Sequence, residues 1–584
     1  MHLFARVRDD ILTVINQLID DGFLPEGLQL MAITAEPPRD STHGDVATNV
    51  AMVVAKPSGK NPREVAQAVV DRLQQYDYIA SADIAGPGFI NLRLADSMWS
   101  QLILQVLELE GSYGNSELGE GRDVNLEYVS ANPTGPLHIG HARGAVVGDV
   151  LGMILLKAGY NVTKEYYIND AGSQVDTLAQ SAYLRYLEAL GRDIGEIPAG
   201  LYPGEYLKPV GQGLAEQYGD EYVDVAEDVW LPIIRSFALD SMLMVIRDDL
   251  AQMGIVHDVF TSEKSLVDGG AVENSIARLE EKGMVYQGVL EPPKGKVLDD
   301  WEPREQTLFR TEKFGDDVDR PLKKSDGSST YFASDIAYHQ NKLDRGFNEM
   351  VLILGADHGG YVKRMKAAVS AMSNGDAVID ILLYQLVNFM ENGVPMKMSK
   401  RAGTFTTVRD VVDMVGKDVV RFIMLTRKSD AVLDFDIEKV KEQSRDNPVF
   451  YVQYAHARIC SVLRNAASEL PDAIPSEWNN VDASILEKLS AAPERDMVMR
   501  IAQWPRVVEA AATAREPHRV AFYLQELAAS FHTLWNAGKD DPSLRFLFEN
   551  DKDLTTARLA MIKACALTLA SGLQVMGVTP VQEM

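Results

Sequence analysis

The chain has 584 residues, 46% hydrophobic and 24% charged, and its 57 Lys and Arg against 84 Asp and Glu give a formal charge of −27. This composition excludes wholesale disorder, and the length exceeds one compact domain. The acidity argues against indiscriminate polyanion binding without excluding a locally basic surface, and two distant cysteines, Cys460 and Cys565, exclude a disulfide scaffold or a Cys-x-x-Cys zinc site.

In chain order, the first twenty residues scatter Arg6, Arg8, Asp9 and Asp10 through an amphipathic pattern, which is not that of a signal peptide. Helical spacing runs through Ile11, Val14, Ile15, Leu18 and Ile19, and again through Val65, Ala68, Val69 and Leu73, with Pro62 suited to a first turn. Strand alternation near Ile84, the turn Gly86-Pro87-Gly88 and Phe89, Ile90 and Leu92 complete a small α+β unit, 1–112, before a polar linker at 111–122. Strands are expected at 123–129, 162–168, 350–354 and 377–386, with a helix at 144–156 between the first two. Strands alternating with helices predict an α/β domain with a Rossmann-like parallel sheet over 120–435. Charged helices at about 185–330 read as an insertion, with 291–304 an irregular excursion. From 436 to 584 the periodicity is helical, at 449–466, 485–492, 497–514, 519–535 and 555–575, which predicts an all-helical bundle. The longest apolar run, 566–578, falls short of the roughly 20 residues a membrane span needs, so a cytoplasmic chain with no membrane contact is expected.

Two segments carry chemistry. The first is Ala131-Asn132-Pro133-Thr134-Gly135-Pro136-Leu137-His138-Ile139-Gly140-His141, between a predicted strand and a predicted helix. Such a turn aims backbone N–H groups and the positive helix end at a phosphate. His138 and His141 share a face and can donate to phosphate oxygens as charge builds on a leaving group, while Gly140 leaves room for a planar base. The bland alternative is a Pro/Gly turn with two surface histidines. The second segment is Met396-Lys397-Met398-Ser399-Lys400-Arg401, after the turn Glu391-Asn392-Gly393. Its cations can close on a triphosphate, or they form a solvated surface loop. Asp357-His358-Gly359-Gly360 ends a strand where ligands collect in parallel sheets, and lacks a third metal ligand, which favours a contact to ribose or adenine. Glu127 and Asp335 offer carboxylates to a cation, and Tyr331 lies four residues before Asp335, the helical spacing that sets a ring beside an acid.

Taken together, the His-Ile-Gly-His and Lys-Met-Ser-Lys motifs resemble those of the class I aminoacyl-tRNA synthetases, with Arg401 standing where that consensus has Ser. Glu127-Tyr128-Val129-Ser130-Ala131-Asn132, Tyr331 with Asp335, the 447–458 stretch and the last eight residues are similar to bacterial arginyl-tRNA synthetases. The resemblance implies an aminoacyl-tRNA ligase that activates L-arginine with ATP and Mg2+, without zinc, and charges tRNA(Arg), working as a monomer. It implies that Glu127, Ser130, Asn132, Tyr331 and Asp335 hold arginine. Asn132, Pro133, Gly135, His138, Gly140, His141, Asp357, His358, Met398, Ser399 and Lys400 would serve ATP, with His138, His141, Lys397 and Lys400 acting on the reaction. Relatives generally need bound tRNA before they activate arginine. Tyr451, Tyr454 and Arg458 share a face suited to stacking anticodon bases, and are equally read as half-buried core. Many relatives place Gln near Arg364, and often Arg at Gln582. The rival readings are a class I synthetase for another amino acid, a tRNA-independent nucleotidyltransferase, and a catalytically dead tRNA-binding paralogue.

Overall fold

The computed structural model describes residues 2–290, 305–324, 326–395 and 406–584, and the chain divides into two compact units. One gathers Met1–Ser116, Gln443–Ala514 and Arg519–Met584; the other holds Glu117–Glu442 with Arg515–His518.

In the first unit, the helix Leu3–Asp20 buries Leu3, Phe4, Val7, Ile11, Val14, Ile15 and Leu18 along one stripe, as its spacing requires. Four strands follow, β1 (Ala35–Glu36), β2 (Val46–Thr48), β3 (Ile79–Ala85) and β4 (Phe89–Leu94), in the antiparallel order β1-β2-β4-β3. Asn61 caps the helix Pro62–Leu73 by accepting from Arg63 N at 2.9 Å. The C-terminal helices belong to the same unit: the Tyr113 hydroxyl donates to the Ile501 carbonyl at 3.0 Å, and Arg495 pairs with Asp96 at 2.7 Å. Two helices differ from expectation. The stretch 485–492 holds only the end of a single turn, Ala483–Leu486, and 497–514 is split into Ala492–Ala502 and Trp504–Ala514. Pro493 and Pro505 sit in first turns, where a missing N–H and a fixed φ begin a helix rather than continue one.

The second unit is built on β5 (Asp123–Glu127), β6 (Asn161–Ile168), β7 (Val259–Ser262), β8 (Val285–Gly288), β9 (Gln306–Phe309), β10 (Arg320–Pro321), β11 (Glu349–Gly355), β12 (Val378–Tyr384), β13 (Val387–Glu391), β14 (Val394–Pro395) and β15 (Leu433–Asp436). A five-stranded parallel sheet runs β12-β11-β5-β6-β7. Within the span read as an insertion, β7 returns to this sheet as its edge, and β8 to β10 pair antiparallel. These strands have four residues or fewer, too short for alternation to show. Residues 291–304 lie outside the described residues.

The helix Ile139–Lys157 lies close on the sheet through Gly144, Gly148 and Gly152, one per turn. A Cβ at 148 would stand 2.2 Å from the Tyr128 ring, and one at 144 would stand 2.6 Å from Tyr384. Gly148→Ala is therefore expected to lower stability by about 1–3 kcal/mol, as overpacking does, read as a lower thermal midpoint.

The expectation that no segment is long and apolar enough to span a membrane is overturned. Among the described residues, three helices, Ile139–Lys157, Glu227–Gln252 and Lys552–Val575, are long and apolar enough to cross a membrane by length and composition. The count of uninterrupted apolar residues missed them because isolated polar groups, such as Arg143 and Asp149 in the first, break a run without lowering its mean hydropathy much. The first and third bury 78% of the apolar window inside the protein, and the second 28%.

Candidate active site

At the carboxyl end of β5 the chain reverses without a glycine. Val129 has φ +71° and Ser130 φ +39°, and Ser130 N donates to the Tyr128 carbonyl at 3.1 Å. A β-branched residue in this region is strained and persists only where its surroundings over-determine it. Ser130 supplies part of that hold: its hydroxyl donates to Glu127 Oε1 and accepts from Tyr167 N, both at 3.1 Å. Farther along, Asn132 Nδ2 donates to Gln174 Oε1 at 3.0 Å, the Tyr206 hydroxyl to the Thr134 carbonyl at 2.8 Å, and Leu137 N to the buried Asp249 at 3.0 Å. A cavity of about 670 Å³ opens beside Thr134, Gly135 and Pro136, next to Pro133, with Tyr202 and Tyr206 on its other wall.

His138 is the N-cap of the helix Ile139–Lys157, so the positive end of that helix faces this turn. The rings of His138 and His141 stack with centroids 3.7 Å apart. The group lying against Gly140 is the His138 imidazole, 2.8 Å from where a Cβ would be. The glycine thus makes room for the histidine stack.

Lys397, Met398, Ser399, Lys400 and Arg401 lie outside the described residues, but both flanks of their segment are placed. On one side, Gly393 N donates to Asp436 at 2.7 Å between β13 and β14. On the other, the Thr406 carbonyl accepts from Ile139 N at 3.2 Å and Val408 N donates to the Leu137 carbonyl at 2.8 Å, so the chain re-enters hydrogen-bonded on either side of His138. A reciprocal cap between Thr407 and Asp410 starts the next helix there.

The acidic pocket is made by the sheet and one covering helix. Glu127 of β5 stands in register with Glu165 of β6. The helix Tyr331–Asp344 answers both from its far end: Lys342 pairs with Glu127 at 2.5 Å and Arg345 with Glu165 at 2.8 Å. Asp335 lies seven residues before Lys342, two turns back on the same face, with Tyr338 between them. The Tyr338 ring packs 4.3 Å from Tyr167. Half-buried Asp335 has its carboxyl pushed up to about 7, by burial first and then by Glu127 and Glu263, against the pull of Arg364 and a hydrogen bond from Tyr361. Glu263, only 8% exposed, is raised as well, by burial and then by Asp170. Carboxylates that raise one another's proton affinity in a site short of cations favour a cationic ligand. Tyr331, by contrast, is 81% exposed at the helix start, with the Lys324 ammonium 5.8 Å from its ring centre. Sequence reasoning missed Glu263, Tyr167, Tyr361 and Lys342; of these only Glu263 carried a local signal, following the N-cap Ser262.

Asp357 and His358 are exposed in the short turn Ala356–Tyr361 at the carboxyl end of β11, 3.7 Å apart. Among the described residues no group of three or more His, Cys, Asp or Glu could hold a metal ion.

In the other unit, Tyr451, Tyr454 and Arg458 share a half-buried face of the helix Pro448–Glu469. The Arg458 guanidinium sits 4.2 Å from the Tyr454 ring centre and 4.6 Å from that of Trp535, while His532 packs on Tyr451 at 4.5 Å. The C-terminal strand of chain is tied alongside: Gln453 donates to the Thr579 carbonyl at 3.0 Å, and Arg464 to that of Gln582 at 3.2 Å. Gln582 thus contributes its backbone here. A cleft of about 470 Å³ between them is lined by Tyr454, Arg458, Arg464, Trp535 and Met584.

Comparison with known proteins accounts for the whole chain. Residues 5–94 match the arginyl tRNA synthetase N terminal domain, 102–190 the catalytic domain of class I (R) tRNA synthetases, and 452–584 the DALR anticodon binding domain. The chain is 56% identical over 584 residues to the arginine–tRNA ligase of Roseobacter denitrificans and 55% to that of Ruegeria pomeroyi, with full coverage of both partners in each case. Among solved structures, a putative arginyl tRNA synthetase from Campylobacter jejuni is 32% identical with a TM-score of 0.71, covering 84% of this chain and all of its own. The arginyl-tRNA synthetase of Thermus thermophilus, 21% identical, shares the fold at a TM-score of 0.72 over 99% of this chain and all of its own.

Proposed function

The chain belongs to the bacterial arginyl-tRNA synthetases, class I ligases that use ATP, and from that premise we propose how its residues divide the work. It activates L-arginine with ATP and transfers the arginyl group to the 3′ end of tRNA(Arg). In the first step a carboxylate oxygen of arginine attacks the α-phosphorus of ATP, the bond to the β-phosphate oxygen breaks, and pyrophosphate leaves. In the second, the terminal ribose hydroxyl of the tRNA attacks the arginyl carbonyl and AMP leaves. Neither step needs a covalent bond to the enzyme, so positioning and charge stabilisation are what the protein supplies.

The observation that supports the substrate assignment is the carboxylate pocket of Glu127, Asp335 and Glu263 at the carboxyl end of the parallel sheet. Asp335 and Glu263 take the guanidinium, a planar cation suited to carboxylate pairing, with Tyr331 closing over its face from the mouth. Glu127, fixed by Lys342 and Ser130, and Asn132 take the α-ammonium end. The turn from Pro133 to His141 takes ATP, His138 and His141 donating to its phosphates, with Asp357 and His358 toward the ribose. Mg2+ bound with the nucleotide would supply charge neutralisation at its phosphates. Lys397 and Lys400 neutralise the departing pyrophosphate, with Met398 and Ser399 serving the nucleotide beside them. Tyr451, Tyr454 and Arg458 stack anticodon bases.

Charging of total tRNA with each of the twenty amino acids tests the assignment: arginine alone is accepted, and acceptance of a neutral amino acid instead overturns the pocket reading. Lys400→Ala is expected to reduce kcat for ATP–pyrophosphate exchange by about 10²–10³ with little change in KM for arginine, as loss of one charge-stabilising donor does. Arg458→Ala is expected to raise KM for tRNA several-fold and leave KM for arginine unchanged, because a cation stacked on a π-face at a partly exposed site is worth about 0.5–1 kcal/mol.

A further inference from the structure

The reversal after β5 is a turn that does not hold itself. Val129 has φ +71° and Ser130 N donates to the Tyr128 carbonyl at 3.1 Å, which makes a γ-turn of the rare, strained kind with positive φ at its centre. On its outgoing side β6 holds it: Tyr167 N donates to the Ser130 hydroxyl at 3.1 Å, and the Tyr166 hydroxyl to the Ala131 carbonyl at 2.7 Å. On its incoming side the hold comes from His257, which lies between the helix Glu227–Gln252 and β7 and is 7% exposed. Its Nε2 stands 3.3 Å from the Tyr128 carbonyl oxygen, and its ring packs on that of Tyr128 with centroids 4.2 Å apart, edge-on to Tyr166 at 5.6 Å. A carbonyl only accepts, so Nε2 carries the proton and donates. The other ring nitrogen, Nδ1, is buried without a hydrogen-bond partner among the described residues, and burial pushes the imidazolium down to about 4, which keeps the ring neutral. The next residue fixes the place of the ring: Asp258 N donates to the Lys164 carbonyl and its carboxylate accepts from Lys164 N, both at 2.8 Å. A buried imidazole with one nitrogen unsatisfied is costlier there than an apolar ring of similar size, and what it adds is a single donor aimed at the turn.

We propose that His257 is a positioning residue for the amino-acid site: its Nε2–H donates to the Tyr128 carbonyl and holds the strained reversal that presents Glu127 and Asn132 to the substrate. The proposal rests on the reading of Glu127 and Asn132 as ligands of arginine. Glu127 immediately precedes the turn, and its Oε1 accepts from the Ser130 hydroxyl within it at 3.1 Å, so a turn that relaxes moves the carboxylate. The residues that follow are held separately, through Tyr206 to the Thr134 carbonyl and Asp249 to Leu137 N, so the ATP end of the site does not depend on His257.

The test measures KM for arginine and KM for ATP by ATP–pyrophosphate exchange, with tRNA present, together with the thermal midpoint, on the full chain and its His257→Phe and His257→Gln variants. Phe keeps the ring and loses the donor; Gln keeps an amide donor at about the reach of Nε2 and loses the ring. His257→Phe is expected to raise KM for arginine about tenfold, the worth of one hydrogen bond to a buried group, with KM for ATP unchanged. His257→Gln is expected to restore the parent KM for arginine even where it lowers the thermal midpoint. A KM for arginine that follows the ring instead, raised in Gln and unchanged in Phe, overturns the proposal by making His257 a packing residue, and so does a rise of equal size in both KM values. A second comparison holds even if the single variants lose stability. Because Ser130 and His257 act on one turn, Ser130→Ala combined with His257→Phe should raise KM for arginine by less than the product of the two separate effects, and a full product overturns the proposal. If Glu127→Gln leaves KM for arginine unchanged, the reading of the pocket itself fails, a separate result from a failure at His257.

Discussion

Asp335→Asn is expected to lower kcat/KM for arginine by about a thousandfold while making the protein harder to unfold above pH 7. The loss follows from removing one member of a desolvated charge pair, worth about 2–5 kcal/mol. The gain follows from proton linkage. The carboxyl sits near 7 in the folded chain against an ordinary value of 3.8, so the folded state binds this proton more tightly than the unfolded state. Its destabilising contribution is absent below the ordinary value, grows as pH rises between the two, and is full above about 7. Thermal midpoints measured from pH 4 to 8 should therefore show the Asn variant rising relative to the parent with pH. A variant less stable than the parent at pH 8 would mean that Asp335 is satisfied in the empty site, contrary to the pocket described.

The second large effect is structural. Asp149, on the helix that carries the histidines, is 4% exposed and lies between Lys164 at 2.7 Å and Arg421 at 2.5 Å. Burial pushes its carboxyl up, but Arg421 and then Lys164 outweigh that and hold it below the ordinary value. Arg421 also donates to the Met253 carbonyl at 3.0 Å, so it joins this helix to the end of the helix Glu227–Gln252. Arg421→Met leaves Asp149 half-compensated and is expected to remove about 3–5 kcal/mol of stability. Because a carboxyl held low contributes stability that is present above its ordinary value and lost as pH falls through its folded value, the deficit should shrink at acid pH. Denaturation at pH 8 and at a series of pH values below the ordinary 3.8 checks both the size and the trend.

The parts of this molecule that were legible in its sequence are those whose signal is local. The stripe Val7, Ile11, Val14, Ile15 and Leu18 is a buried helix face, and the strands of the parallel sheet fall where short apolar runs alternate with helices. Pairing across long separations was not legible. Nothing near Lys342 announces that it will reach Glu127, 215 residues earlier, nor that Asp249 will hold Leu137 N. The spacing of Tyr331 and Asp335 placed both on one helix, but not the difference between an exposed ring at its first turn and an acid facing Glu263. The reversal at Val129 was hidden for another reason. Turn chemistry is normally written in Gly and Asn, whereas here a strained β-branched residue is held by its neighbour Ser130, whose hydroxyl accepts from Tyr167 N on the next strand, β6.

The central claim is that charge in the Glu127, Asp335 and Glu263 pocket selects the substrate. The most direct measurement compares kcat/KM for arginine with that for citrulline, a neutral analogue of nearly the same shape, at pH 8 with tRNA present. A urea group leaves Asp335 and Glu263 unpaired, so the site should favour arginine by about 10⁴ or more. Rates within tenfold of one another would contradict the account, because shape and not charge would then be choosing the amino acid.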